Sequence, residues 1–176
     1  MKKLQRGFYN RPTMEVARDL IGKVVNFNDY QAVITETEAY VGKDDPACHA
    51  AVGKTKRNEV MFAQAGLSYV YLIYGMYHCL NFVTEDEGFP AAVLIRGVYI
   101  DGVDYKKTNG PGKLCKLMNI TREDSGVDIV SSDRFYVCDS DIKLDFDVTP
   151  RIGISKGTDL PWRFVVTKDA IKKIAG

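Results

Sequence analysis

The stretch Leu67-Ser68-Tyr69-Val70-Tyr71-Leu72-Ile73, Tyr74-Gly75-Met76, Tyr77-His78-Cys79-Leu80-Asn81-Phe82-Val83-Thr84 decides the fold. Both arms are built from aromatic, β-branched and aliphatic residues, the types that a pleated, half-buried surface favours. Between them, Gly75 is free to take the positive φ that a tight connection requires. The pattern predicts a β-hairpin with strands over 67–73 and 77–84. Four of its nine central residues are tyrosines (Tyr69, Tyr71, Tyr74 and Tyr77). Packing on a β-ribbon accounts for Tyr69 and Tyr71 but less well for Tyr74, because a large aromatic at a turn gains little burial.

Working outward, more strands appear on both sides. Residues 31–40 alternate in character, so that Ala32, Ile34, Glu36, Glu38 and Tyr40 share one face. Residues 23–27 read as a strand that turns back at Asn28-Asp29. Residues 90–100 read as another, with Arg96 inside an apolar run. Short strands are expected at 134–138, 142–148, 151–154 and 162–167. Helices are fewer. Thr13 is a candidate N-cap for a helix closed by Gly22, and a second helix is expected over 113–119 after Gly110-Pro111-Gly112. Residues 42–66 read as loop, with a turn of helix near 47–51. The expectation is an α+β fold: one strand-rich mixed domain spanning 1–176, with a curved antiparallel sheet, short helices and a protruding hairpin.

Composition fits that class. Of 176 residues, 45% are hydrophobic and 27% charged, enough to bury a core and too apolar for a disordered chain. No run approaches the roughly 18 apolar residues of a membrane span, and no apolar segment follows the basic start at Met1-Lys2-Lys3. A soluble cytoplasmic protein, without membrane association and monomeric, is the expectation. The four cysteines form no C-x-x-C pair and read as reduced core thiols. The net charge is only +1, but residues 122–147 hold eight acids against three basic residues, a net of −5 that leaves +6 for the rest. Basic clusters at Lys54/Lys56/Arg57, Lys106/Lys107, Lys113/Lys116 and Lys168/Lys172/Lys173 either neutralise phosphates on one face or are scattered solubilising charge.

A few residues are unusual for their positions. Glu38 lies near the end of its strand, where loops leave a sheet, and a carboxylate so placed can act as general base toward water. Glu36 competes for that role, and alternation does not choose between them. Arg96 in an apolar run needs a carboxylate partner, which either glutamate supplies, or a ligand. Asn81 is a polar amide among apolar neighbours. His49 follows Cys48 and His78 precedes Cys79, but zinc-ligand spacing is missing and core or stacking roles fit better. Tyr74, exposed on a stiff finger, suits insertion into a stacked polymer.

At these residues the chain resembles the alkyladenine (3-methyladenine) DNA glycosylases of the mammalian type. The resemblance rests on the stretch 34–40 (Ile-Thr-Glu-Thr-Glu-Ala-Tyr), Lys56-Arg57-Asn58 with Met61-Phe62, and the hairpin 69–77 with Asn81. It continues through 93–96 (Val-Leu-Ile-Arg), 110–115 (Gly-Pro-Gly-Lys-Leu-Cys), 151–154 (Arg-Ile-Gly-Ile) and 161–164 (Pro-Trp-Arg-Phe). The order is preserved over nearly the whole chain. A shorter connection between Arg96 and Gly110, and the lack of an N-terminal tail, point to a minimal bacterial version.

The resemblance implies a monofunctional glycosylase that flips an alkylated, deaminated or etheno-adducted purine out of damaged double-stranded DNA and hydrolyses its N-glycosidic bond. It implies Glu38 as the base activating water, with Arg96 and a backbone carbonyl near Ile154 holding it. Tyr40, His49 and Tyr71 become walls that sandwich the flipped base, whose edge is read by backbone groups near Ala47 and His49. Asn81 becomes the pocket floor that crowds the exocyclic amine of guanine. Tyr74 becomes the intercalating residue, with Met76, Tyr77, Lys56 and Arg57 as further DNA contacts. Neither a cofactor nor a metal is implied. Two rival readings remain at this stage: a metal-dependent nuclease using Glu36, Glu38, Asp44, Asp45 and His49, or a non-catalytic nucleic-acid-binding module using the tyrosines as stacking platforms.

Overall fold

In the computed structural model, which describes residues 1–176, the elements run α1 (Arg6–Tyr9), α2 (Thr13–Asp19), β1 (Val24–Phe27), β2 (Tyr30–Val41), β3 (Ser68–Ile73), β4 (Tyr77–Val83) and β5 (Ala91–Tyr99). They continue as α3 (Pro111–Met118), β6 (Phe135–Cys138), β7 (Phe146–Thr149), β8 (Arg163–Val166) and α4 (Lys168–Ala175). The strands form one curled, antiparallel, eight-stranded sheet in the order β3-β4-β5-β2-β1-β6, with β8 pairing both β2 and β7. The long strand β2 is the hub. Its start pairs with β1, its end with β5, and Glu36, Thr37 and Glu38 pair with β8 as well.

The expected hairpin forms with Tyr69 opposite Asn81 and Val70 opposite Leu80. Period-two alternation sends these pairs to opposite faces. Val70, Leu80 and Phe82 join the main core, against which α2 and α3 pack through Val16, Ala17, Leu20, Leu114, Cys115 and Met118. Tyr69 joins a smaller cluster on the other face, with Cys48, Ala50, Met61, Val83 and Ala92 under the loop 42–66. The turn of helix expected in that loop is a 3-10 turn at His49–Val52, with another at Glu59–Phe62. The four cysteines are free and buried. No helix is long and apolar enough to cross a membrane.

Several local expectations need correction. Thr13 is the first helical residue rather than the cap. Pro12 precedes it, and the Thr13 hydroxyl is occupied by Glu85 and Thr84 across the core. Helix α3 begins at Pro111, whose fixed φ suits a first helical turn, and ends on left-handed Asn119. Residues 151–154 are not a strand, because Arg151 is drawn into the interior instead of pairing in the sheet. The expected strand 142–148 is reduced to Phe146–Thr149. Helices α1 and α4 were not foreseen; each is short, and α4 is set by the Thr167 hydroxyl accepting from the Ala170 amide.

One buried ion pair ties the irregular segments to the sheet. The Arg151 guanidinium, wholly enclosed, donates to both oxygens of Asp45 at 2.7 and 2.8 Å and to the Ala39 carbonyl at 2.9 Å. It is sandwiched between the Tyr40 and Trp162 rings at 4.8 and 4.9 Å. Asp45 also accepts the Val41 and Ala47 amides. Removing one partner of such a pair strands the other charge in a dry interior. Asp45→Asn should therefore destabilise the protein by about 3–5 kcal/mol. Urea denaturation checks this, and a loss below 1 kcal/mol would show that the pair is dispensable.

Candidate active site

The Glu38 side chain is completely buried, in the middle of the sheet and not at a strand end. It lies opposite Leu94 on β5 and Arg163 on β8. Its two oxygens are separately held: Oε1 accepts the Ile152 amide at 2.8 Å, and Oε2 accepts the Tyr40 hydroxyl at 2.8 Å. Arg96 Nε lies 3.5 Å from Oε1. Burial raises the Glu38 carboxyl above the ordinary carboxylate range, although Arg96, the Ile152 amide and Tyr40 all pull the other way. The result is a carboxylate held in place by short contacts yet more basic than a surface one.

Arg96 reaches this position through irregular pairing. Ile34 faces Val98, Glu36 faces Gly97 and Thr37 faces Ile95, so Thr35 on β2 and Arg96 on β5 have no cross-strand partner. Two opposed bulges thus re-aim Arg96 while the register recovers beyond them. Gly97 makes the bulge possible, because a Cβ there would lie 3.0 Å from Thr35 Oγ1 and 3.2 Å from Glu36 Cβ. Arg96 Nε donates to Glu36 Oε1 at 3.0 Å, and Arg163 Nε donates to the same oxygen at 2.7 Å. Both glutamates therefore contact Arg96. Only the three-dimensional arrangement separates them: Glu38 is held by Tyr40 and a loop amide, Glu36 by two arginines.

On the other side of Tyr40, whose hydroxyl holds Glu38, is a small cavity bordered by Tyr40, Ala47, His49, Tyr71 and Asn81, and also by Met61 and Tyr69. The His49 and Tyr71 rings meet edge to face with centroids 4.4 Å apart, leaving no gap between them, so they form one joint wall. His49 Nδ1 is 3.1 Å from the Tyr69 hydroxyl, and Asn58 Nδ2 donates to the His49 carbonyl at 3.0 Å. Burial, then Arg57, lowers the His49 pKa, so the imidazole is neutral at neutral pH. Asn81 Nδ2 donates to the Tyr69 and Cys79 carbonyls at 3.1 and 3.3 Å, which leaves Oδ1 as the atom available to the cavity. Met61, Tyr69 and Asn58 lie in stretches that carry the family resemblance, but the sequence assigned them no role in the site, because as residue types they read as core or loop.

Tyr40 and Tyr71 also border an open groove of about 1030 Å³ that runs between the hairpin, Arg96, Ile152 and the start of α3 at Gly110–Lys113. At its rim stands the hairpin tip. Tyr74 is 82% exposed with φ 53°, next to Gly75 with φ 68°, and Met76 and Tyr77 are exposed too. A left-handed tyrosine is sterically unfavourable, which makes its exposure at this tip notable. Tyr77 rests against Gly112, where a Cβ would lie 3.0 Å from its ring. Arg57 donates to the Leu72 carbonyl and lies 5.6 Å over the Tyr71 ring, so it buttresses the outer half of the hairpin; Lys56 is exposed beside it. Two residues before Ile154, the Ile152 amide donates to Glu38, a contact that the sequence did not single out. No three His, Cys, Asp or Glu side chains converge as metal ligands, and Asp45 is committed to Arg151.

This geometry agrees with similarity to known proteins. Residues 7–170 match the family model described as methylpurine-DNA glycosylase. A Rickettsia felis protein is 57% identical over 164 residues, covering 93% of both chains. A Sodalis glossinidius protein is 58% identical over 161 residues, covering 92% of this chain and 95% of its own. A protein of Wolbachia sp. subsp. Brugia malayi is 57% identical over 163 residues, covering 93% of this chain and 96% of its own. Each of the three is named "Putative 3-methyladenine DNA glycosylase". With a family match along nearly its whole length and relatives this close, the chain belongs to the methylpurine-DNA glycosylase family and is a DNA N-glycosylase.

Proposed function

We propose that the protein, acting as one unit over 1–176, flips a damaged purine out of duplex DNA and hydrolyses its glycosidic bond with water activated by Glu38. The observation that carries this reading is the Glu38 carboxylate. It is wholly buried, fixed by Ile152 and Tyr40, and more basic than usual; Tyr40 borders both a small cavity and an open groove, and Ile152 and Arg96 border the groove as well. As the glycosidic bond breaks, the sugar becomes cation-like. A nearby carboxylate stabilises that charge and takes the proton from the attacking water. An alkylated purine already carries positive charge and leaves readily. The neutral His49, with Tyr40 and Tyr71, offers it ring faces without electrostatic repulsion. Lys113, the lysine bordering the groove, is held by the Lys106 carbonyl and Asn109, which favours hydrolysis over attack by an amine. Alkylated adenine or guanine, hypoxanthine and etheno-adenine are the candidate bases.

Glu38→Gln tests the chemistry and the burial together. Base release from alkylated DNA should fall by about 10²- to 10⁴-fold. The folded-state pKa of Glu38 is raised, so its contribution to stability is full below the unfolded carboxylate value and is lost as pH rises through the folded one. Glutamine does not titrate. The variant should therefore melt higher than wild type at neutral pH, with the gap closing toward pH 4. Full excision activity, or the same gap at both pH values, would remove Glu38 from this role.

Tyr74→Asn tests flipping. Asparagine accepts the left-handed conformation better than tyrosine, so the melting temperature should hold or rise. Without a ring to fill the vacated stack, single-turnover excision of hypoxanthine from duplex should drop, while excision from single-stranded DNA should change much less. An equal loss on both substrates would place Tyr74 in pocket support instead.

A further inference from the structure

We propose that Glu36 is a positioning residue for hydrolysis, holding Arg96 back from Glu38 so that the Glu38 carboxylate stays free enough to take a proton from water. This inference rests on Glu38 being the base. Arg96 Nε lies between the two glutamates and is nearer Glu36 Oε1, at 3.0 Å, than Glu38 Oε1, at 3.5 Å. Glu36 is in turn fixed from the far side by Arg163 Nε at 2.7 Å, and the Arg163 Nη1 donates to Thr149 Oγ1 at 2.9 Å. The chain of contacts Thr149–Arg163–Glu36–Arg96 thus draws the guanidinium away from Glu38. Neither glutamate borders the groove or the cavity itself; Glu38 touches three groups that line the groove, Tyr40, Ile152 and Arg96, whereas Glu36 touches only Arg96 among them, so the influence of Glu36 on the reaction passes through Arg96 or through its own charge.

The charges explain why such a restraint is useful. The groups facing Glu38 are Glu36 and Tyr40 on its own strand, Arg96 from β5, Arg163 from β8 and the Ile152 amide from the loop. Arg151 lies beyond the Tyr40 ring, with its charge matched by Asp45. Two carboxylates and two guanidiniums make the immediate cluster neutral. Without Glu36, Arg96 has one carboxylate left, and a guanidinium settled fully on Glu38 would join the two hydrogen bonds already there. That makes the carboxylate a weaker base. Both consequences of the loss, a closer arginine and one fewer negative neighbour, act in the same direction.

The test is Glu36→Gln, assayed by single-turnover excision from alkylated duplex across pH, beside Glu38→Gln. The acid limb of the rate profile should move to lower pH than in wild type, and the plateau should fall by about three- to tenfold as the base weakens. Affinity for a duplex carrying an abasic-site analogue should not change. A structural role alone would lower the melting temperature but leave the acid limb in place, and that result overturns the proposal. A limb displaced to higher pH overturns it too. Should the single variant unfold at the assay temperature, Glu36→Gln/Arg163→Gln removes one charge of each sign and carries the same test, with a smaller displacement in the same direction because only the closer arginine then acts. A dead Glu36→Gln beside an active Glu38→Gln would instead overturn the assignment of Glu38 itself.

Discussion

A charge taken out of water must find partners, and the molecule is arranged around that constraint. Strand β2 is buried without a break from Ile34 to Ala39, yet Glu36 and Glu38 lie within that run, the latter with no exposed surface. An unpaired carboxylate there would be protonated or would disrupt the fold. Three partners come from three different parts of the chain: Arg96 from a bulge in β5, Arg163 from β8 and the Ile152 amide from the preceding loop. The bulge and its glycine follow from this need.

The second buried pair, Asp45 with Arg151, extends the same logic to the loops. Arg151 lies under the Tyr40 ring and next to the residue whose amide holds Glu38, while Asp45 accepts the Ala47 amide at the edge of the cavity. One ion pair thus fixes a wall of the cavity, a ligand of the carboxylate and the entry to the 3-10 turn bearing His49. Sites on loops lose precision unless buried contacts lock them. Here a fully enclosed bidentate pair performs that task.

The hairpin obeys a different rule. Its root, Ser68–Val70 with Cys79–Val83, is buried, and nearer the tip it is braced by Arg57 on the Leu72 carbonyl and by Tyr77 against Gly112. Its tip gives up burial and accepts a left-handed tyrosine. Under the proposed function this division is reasonable, since a finger that enters a base stack must be stiff at its base and apolar at its end. The cavity is likewise stiff: every polar group in its wall that could swing, from His49 to Asn81, is hydrogen-bonded to a neighbour on the sheet or loop.

The sequence by itself determined the hairpin, the strand carrying Glu36, Glu38 and Tyr40, the oddity of Arg96 and Asn81, and the family resemblance. These are local signals: alternation, turn residues and a charge in an apolar run are visible without knowing what packs against what. Tertiary structure alone decided which strand pairs with which, and so which glutamate is held by an amide and a tyrosine and which by two arginines. Alternation puts Glu36 and Glu38 on one face, and only β5 and β8 make them different. Nothing local marks Arg151 as a buried anchor, because its partner Asp45 stands more than a hundred residues away. The same holds for Ile152, which reaches Glu38 through a backbone amide that every residue but proline possesses. Pairings over such distances depend on how the sheet curls and where loops return, and residue spacing does not encode them.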